Sequence, residues 1–258
     1  MLLLEQRRLQ VSKKTDAIKK SQLGQFFTPA STARFMAGLF PDSHDACRLL
    51  DAGAGIGSLV DAFLRRWRAG GLHFSRVDVD AFEVDVSLHG FLNATLETYQ
   101  NQPECVANVR SDDFIHAAVA AISGDLFATT SSGYTHAILN PPYKKIHSSS
   151  AYRLALRLVG IETVNLYSAF VALAVARAAP SGQIVAIIPR SFCNGPYYRP
   201  FRDFILERAA ICHLHLFESR NKAFRDDEVL QENLIIRLER GGQQGPVTIT
   251  TSTDDSFS

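Results

Sequence analysis

Short apolar runs recur along the chain, each cut off by a polar, glycine or proline break and most of them followed by residues with helical spacing. The runs are Arg48–Ala52, Arg76–Phe82, Cys105–Arg110, Ala137–Leu139, Ile184–Ile188, Ile211–Phe217 and Asn233–Leu238. Helical spacing occupies Ala30–Leu39, the stretch opening at Ser58, a stretch ending near Gln100, Phe114–Ile122, Asn165–Ala179 and Arg199–Ala209. Strands that are apolar on both faces and alternate with helices predict an α/β fold with a largely parallel sheet. The polar stretch 218–231 has no apolar stripe for a crossover helix, so the sixth and seventh strands are expected to form an antiparallel hairpin. Residues 1–22 read as a charged helix or a partly ordered arm, 23–241 as one catalytic-size unit, and 242–258 as the start of a linker or of a further, truncated region in which Val247–Thr251 restarts a strand.

Composition narrows the picture without naming a chemistry. With 258 residues and 46% hydrophobic side chains, one α/β domain with a buried sheet is the default. A formal net charge of +1 announces no global field for nucleic acid, so any such surface has to be local. The basic residues Arg7, Arg8, Lys13, Lys14, Lys19 and Lys20 suit a solvated helix face as well as phosphate contacts. Cys47, Cys105, Cys193 and Cys212 lack CxxC spacing and sit mostly in apolar runs, which suits buried thiols in a reducing compartment better than a zinc site. The opening Met-Leu-Leu-Leu is too short for a signal-peptide core, and no apolar stretch approaches membrane-spanning length. A soluble, cytoplasmic protein is expected.

The candidate chemistry centres on Ala137-Ile138-Leu139-Asn140-Pro141-Pro142-Tyr143. Two successive prolines cannot extend a strand ladder, so the run must stop there, at the sheet end where α/β proteins handle ligands. The Asn140 side-chain oxygen and the Pro141 carbonyl are both acceptors and could hold the two hydrogens of an exocyclic amine; Tyr143 offers a flat face for a base. A plain turn with a tyrosine lid uses the same residues.

Four other stretches join it. Asp51-Ala52-Gly53-Ala54-Gly55-Ile56-Gly57 is a glycine-rich strand-to-helix turn whose GxGxG spacing departs from the dinucleotide fingerprint GxGxxG. Glu83, just past the second apolar run, stands where a carboxylate takes a ribose diol, in preference to Asp78, Asp80 and Asp85. In Ser111-Asp112-Asp113-Phe114 a carboxylate could accept from an adenine amine while Phe114 packs on the ring, and Asp112 could equally cap the next helix. Gly24-Gln25-Phe26-Phe27-Thr28-Pro29 sets an aromatic pair before Thr28, which fits an N-cap with proline at the first helical position. Lys144–Ser150 suits a polar lip near a substrate.

Taken in order, GQFFTP, DAGAGIGSL, FEVD, SDDF, NPPY, NLY, IIPRSF, FESRNKAF and VLQEN resemble the gamma class of DNA adenine-N6 methyltransferases, in particular PstI-like modification enzymes of type II restriction–modification systems. NPPY alone is shared with methyltransferases of glutamine amides and RNA; the ordered set is more specific. The resemblance implies a Rossmann-like, class I S-adenosylmethionine-dependent fold with a seven-stranded sheet whose last strand is antiparallel. It implies Phe26, Phe27, Thr28 and Pro29 at the methionine end of the cofactor, with Asp51, Gly53 and Gly55 beneath its amino acid and ribose. Glu83 would take the ribose hydroxyls, and Asp113 with Phe114 the cofactor adenine. Asn140 and Pro141 would grip the target amine, with Pro142 shaping the turn; Tyr143 would stack the flipped base, with Phe224 as the opposite wall. The implied partners are double-stranded DNA, a separate or C-terminal target-recognition domain and a cognate restriction endonuclease. No metal ligand set is expected. The alternatives are a glutamine-amide or RNA guanine-amine methyltransferase and a silent cofactor-bound scaffold.

Overall fold

The computed structural model describes residues 4, 6, 8, 27–124, 133–217, 232–254 and 257. Phe26, Phe224, most of the 1–22 arm and all of the 218–231 connection lie outside these residues.

Eight strands form one sheet: β1 (Cys47–Ala52), β2 (Val77–Phe82), β3 (Cys105–Arg110), β4 (Tyr134–Leu139), β5 (Ala178–Pro189), β6 (Ala209–Phe217), β7 (Asn233–Arg240) and β8 (Thr248–Ser252). Their order is β3-β2-β1-β4-β5-β7-β6-β8. The first five run parallel, and β7 is antiparallel to both β5 and β6, as the sequence pattern of 218–231 predicted.

The strand count is a correction: the sheet has eight strands, and its last one, β8, is parallel to β6 while the reversed strand β7 lies inside. Thr-Ile-Thr-Thr-Ser carries little apolar signal because β8 is an edge strand, exposed over most of its length. Side-chain bonds help to hold it. Thr250 Oγ1 lies 2.8 Å from both His213 Nε2 and His215 Nδ1, and Ser252 Oγ lies 3.1 Å from His215 Nε2.

The helices are α1 (Ala30–Gly38), α2 (Ser58–Arg68), α3 (Val86–Gln100), α4 (Phe114–Ile122), α5 (Ala151–Leu158), α6 (Leu166–Arg177) and α7 (Arg199–Arg208). Successive strand residues point to opposite faces, and the two cores follow that period. Leu50, Ala137, Leu139, Ile184 and Ala186 pack with α4, α6 and α7, whereas Leu49, Ile138, Val185 and Ile187 pack with α1, α2 and α3. Both sheet faces are therefore covered, which is why the central strands read as unbroken apolar runs. Cys47 and Cys105 are buried, while Cys193 is exposed. Among the described residues no helix is long and apolar enough to cross a membrane.

Strand order also fixes the site. The chain steps outward from β1 to β2 and β3, then returns to place β4 on the other side of β1. The reversal leaves a crevice at the strands' C-terminal ends, where Asp51, Glu83 and Asn140 sit at or just past the tips.

Candidate active site

A cleft of about 390 Å³ opens at those tips. Of the residues singled out in the sequence, Phe27, Gly53, Gly55, Glu83, Asp113, Phe114, Asn140 and Pro142 line it. Thr28, Pro29, Asp51, Pro141 and Tyr143 are not among the lining residues. Thr28 and Asp51 are buried, and Thr28 bonds to Asn140, which does line it.

The glycine turn is shaped by its backbone. Gly53, Gly55 and Gly57 all have positive φ, and a Cβ on Gly57 would come within 3.0 Å of Leu92 Cδ1, so that position combines strain with crowding. The turn's amides are spent within the protein: Gly53 and Ala54 donate to the Phe82 carbonyl, Gly57 to that of Ala54, and Gly55 to Glu83 Oε2 at 2.8 Å. A pyrophosphate would need those N–H groups, so the geometry speaks against a dinucleotide in this turn.

Glu83 is 4% exposed, and its second oxygen, Oε1, accepts from the Asp85 amide at 2.7 Å. Burial pushes its carboxyl up, opposed by the two amide donors. Its rivals have other employment. Asp78 pairs with Arg76, Asp80 accepts from the Tyr134 hydroxyl, and Asp85 caps α3 by accepting from the Ser87 amide.

Asp51 is fully buried near the end of β1, and neither of its oxygens has a hydrogen-bond partner among the described residues. Burial pushes its carboxyl up to about 8; the Val60 amide in the first turn of α2 opposes the rise and the nearby Glu83 charge adds to it. Among the described residues the structure gives this carboxylate no positive charge to answer it, and a buried charge without a partner is costly.

At the third tip, Asp113 is the N-cap of α4, its Oδ1 accepting from the His116 amide at 3.0 Å. The alternative of a cap at Asp112 does not hold: Asp112 instead pairs with Arg110 at 2.8 Å. The other Asp113 oxygen accepts from the Tyr152 hydroxyl at 2.6 Å. Phe114 is 3% exposed and packs edge-on to Phe82, with ring centroids 5.3 Å apart.

On the β4 side, the Asn140 amide is held between two hydroxyls. Its Nδ2 donates to Thr28 Oγ1 at 3.0 Å, and its Oδ1 accepts from the Tyr143 hydroxyl at 3.2 Å. Tyr143 also lies 3.3 Å from the Ile187 carbonyl, and burial pushes its phenol up. Thr28 was expected to cap α1. It does not: the N-cap is Pro29, without a side-chain cap bond, and the Thr28 hydroxyl is spent on Asn140.

Sequence reasoning found only part of one wall of the cleft and missed Tyr152. Lys144, Lys145, Ile146, His147, Ser150 and Tyr152 line it, and the last lies on α5, a helix the sequence reading did not separate from its surroundings. Only Leu156 of α5 is buried, and Leu154 and Leu158 are exposed; Ser150, which caps it by accepting from the Arg153 amide at 3.3 Å, was an available signal. The polar lip read from 144–150 is part of this wall.

Sheet order and cleft define the class as a class I S-adenosylmethionine-dependent methyltransferase fold. The chain aligns with a Listeria monocytogenes protein assigned to that class at a TM-score of 0.73, with 13% identity over 98% of this chain and 72% of the other. The methyltransferase subunit of a Streptococcus thermophilus type I restriction–modification system aligns at 0.63, with 17% identity over 88% of this chain and 48% of that one. At such identities the likeness concerns the fold. Residues 76–224 match the Eco57I restriction-modification methylase family, and the chain belongs to that family. It is 53% identical over 242 residues to the type II methyltransferase M.BsuBI of Bacillus subtilis, covering 93% of this chain and 48% of the relative. It is 38% identical over 244 residues to M.PstI of Providencia stuartii, covering 92% and 47%. The chain thus spans about half the length of these two curated relatives.

Proposed function

We propose that this chain is the catalytic part of a site-specific DNA adenine-N6 methyltransferase of a type II restriction–modification system, with residues 23–241 as the methyltransferase unit. The observation that carries the reading is the Asn140 amide, fixed at the edge of a cleft whose other walls present a buried diol acceptor, Glu83, and an aromatic platform, Phe114.

The residues fit S-adenosylmethionine on two counts. Asp51 is a buried carboxylate without a hydrogen-bond partner among the described residues, at the end of β1 and suited to an ammonium group; Glu83 is a buried carboxylate in the cleft wall, an acceptor pair of the kind that suits two ribose hydroxyls. When bound, S-adenosylmethionine supplies an electrophilic methyl carbon. Everything else is positioning by this chain. Asn140 Oδ1 and the Pro141 carbonyl accept the two amine hydrogens and so aim the nitrogen lone pair. Asp113 would hold the cofactor's adenine amine, with Phe114 beside it. Tyr143 stacks the extruded base, which offsets part of the few kcal/mol of unstacking. Phe224 would form the opposite wall, and Phe26 would border the cofactor with Phe27, Thr28 and Pro29.

Membership in a restriction-modification methylase family favours DNA over a glutamine amide or RNA, and the intact Asn140–Tyr143 turn favours an active enzyme over a silent scaffold. The partners this implies are duplex DNA, a target-recognition region and a cognate endonuclease. Transfer of tritiated methyl groups tests the reading: label is expected on adenine N6 in DNA, and label on RNA or release factor instead would overturn it. In filter binding the chain alone is expected to hold duplex DNA weakly and without selectivity; nanomolar, sequence-selective retention would count against a separate reader.

A further inference from the structure

We infer that Thr28 is a positioning residue for the target amine, its hydroxyl anchoring the Asn140 amide so that the Oδ1 end faces the Tyr143 side of the pocket; this rests on the proposed methyl transfer to an exocyclic amine. The two residues are 112 positions apart, and both are buried, at 4% and 9% exposure, where a lost hydrogen bond is not readily replaced by water. Thr28 stands at the entrance of a helix, where a hydroxyl ordinarily caps the first turn, yet no side-chain cap is made and Oγ1 accepts from Asn140 Nδ2 at 3.0 Å instead.

The strap that carries this hydroxyl is fixed on both sides. Phe27 packs with Ile56 and Leu88, close enough to Gly55 that a Cβ there would lie 3.5 Å from its ring. Pro29 has a ring-fixed φ of −59°, and its carbonyl accepts from the Ala33 amide at 2.9 Å, tying the strap to α1. Thr28 is therefore held between two immobilised neighbours, and what it holds inherits that rigidity. At the other end of the amide, the Tyr143 hydroxyl lies 3.2 Å from Oδ1 and shares its single proton between that oxygen and the Ile187 carbonyl. Oδ1 is the atom that the proposed reaction assigns as acceptor for the substrate amine. An Asn140 freed from Thr28 could rotate and turn its NH₂ toward the incoming amine, which would set donor against donor.

Thr28→Val removes the hydroxyl at nearly constant volume, and Thr28→Ser restores it. The side-chain amide signals of Asn140, assigned by their loss in Asn140→Asp, are expected to be slowly exchanging in the wild-type chain and in Thr28→Ser, and to exchange faster in Thr28→Val. At saturating S-adenosylmethionine, kcat is expected to fall about tenfold in the valine variant, in keeping with the loss of one buried hydrogen bond, and to recover in the serine variant. Thr28→Ala replaces valine should the latter not fold. Unchanged amide exchange in Thr28→Val, or a kcat that returns to wild type once cofactor is saturating, would overturn the anchoring role. A wild-type chain that labels no adenine at all would instead sink the methyl-transfer reading, and the exchange experiment would still decide the anchor.

Discussion

The two sides of the cleft are built from opposite materials. The β1–β3 side has two carboxylates in its wall, Glu83 and Asp113, and a third, Asp51, buried near the end of β1; Asp51 and Glu83 are almost sealed from water and pushed up by burial. On the β4 side stands a neutral amide held by two hydroxyls. Carboxylates on one side suit a ligand that is cationic and rich in hydroxyls; neutral acceptors on the other suit an uncharged amine whose nitrogen has to stay nucleophilic. A carboxylate in place of Asn140 would carry charge into a buried position, at a cost the amide avoids. Substitutions on the two sides should therefore fail differently: one in binding, the other in turnover.

The largest effect is expected from Asn140→Ala. It removes the acceptor that aims the target amine, and methyl transfer should drop by about 100-fold or more, the scale seen when one preorganised transition-state contact is deleted. Cofactor affinity, measured by calorimetry, should stay within about twofold, because the carboxylate side is untouched. A comparable loss in both would mean that the two sides are one site and that the division is false.

Asp51→Asn should do the reverse. Replacing a charge-assisted contact by a neutral one is worth about 1.5–3 kcal/mol, so cofactor affinity is expected to fall by roughly 10- to 100-fold. Stability should move the other way, and its pH dependence has a definite sign. The folded carboxyl titrates at about 8 against an ordinary value of 3.8, so the folded state holds a proton that the unfolded state has lost. Its contribution is then fully present below pH 4 and is lost as pH rises through about 8. Asparagine has no such slope, and the melting temperature of the variant should gain on wild type between pH 5 and pH 8.5. For the same reason wild-type cofactor affinity should rise with pH toward 8, since a bound cation needs the ionised carboxylate. A variant that melts no higher than wild type at pH 8.5 would show that Asp51 already has its counter-charge.

The contrast also separates what could be read from sequence. The carboxylate side is local: each acid lies in the last residues of its own apolar run or within three residues past it, so period and turn chemistry pointed to Glu83 and to the Asp112-Asp113 pair, and the resemblance chose Asp113. The β-α alternation was legible for the same reason, and so was the reversed β7. What binds the amide side together is long-range. The Thr28–Asn140 contact spans 112 residues, and no local pattern distinguishes a threonine that caps a helix from one that reaches across the cleft. Strand β8 was legible as a restart over Val247–Thr251 but not as the edge of the same sheet, because an exposed edge strand carries few apolar residues to show what it pairs with, and α5 was missed because it buries only Leu156.

The smallest expected effect sharpens the boundary between the two sides. Tyr152 belongs to the segment that follows Asn140 in the chain, yet its hydroxyl donates to Asp113 on the carboxylate side at 2.6 Å. Burial, with the Asp113 carboxylate adding to it, pushes this phenol up to about 12, so it stays a donor at any physiological pH. Tyr152→Phe leaves Asp113 its bond from the His116 amide, and because the carboxylate lies in the wall of an open cleft, water can take the vacated place. Cofactor affinity is therefore expected to fall only about two- to fivefold, within the net value of one solvent-replaceable hydrogen bond, with kcat at saturating cofactor unchanged. The sign is the informative part. If the hydroxyl holds Asp113 in place for an adenine amine, its loss weakens binding; if it occupies the lone pair that the amine needs, its loss tightens binding. Calorimetric titration of the phenylalanine variant distinguishes the two, and tighter binding would mean that Tyr152 has to swing away from Asp113 before the cofactor can enter.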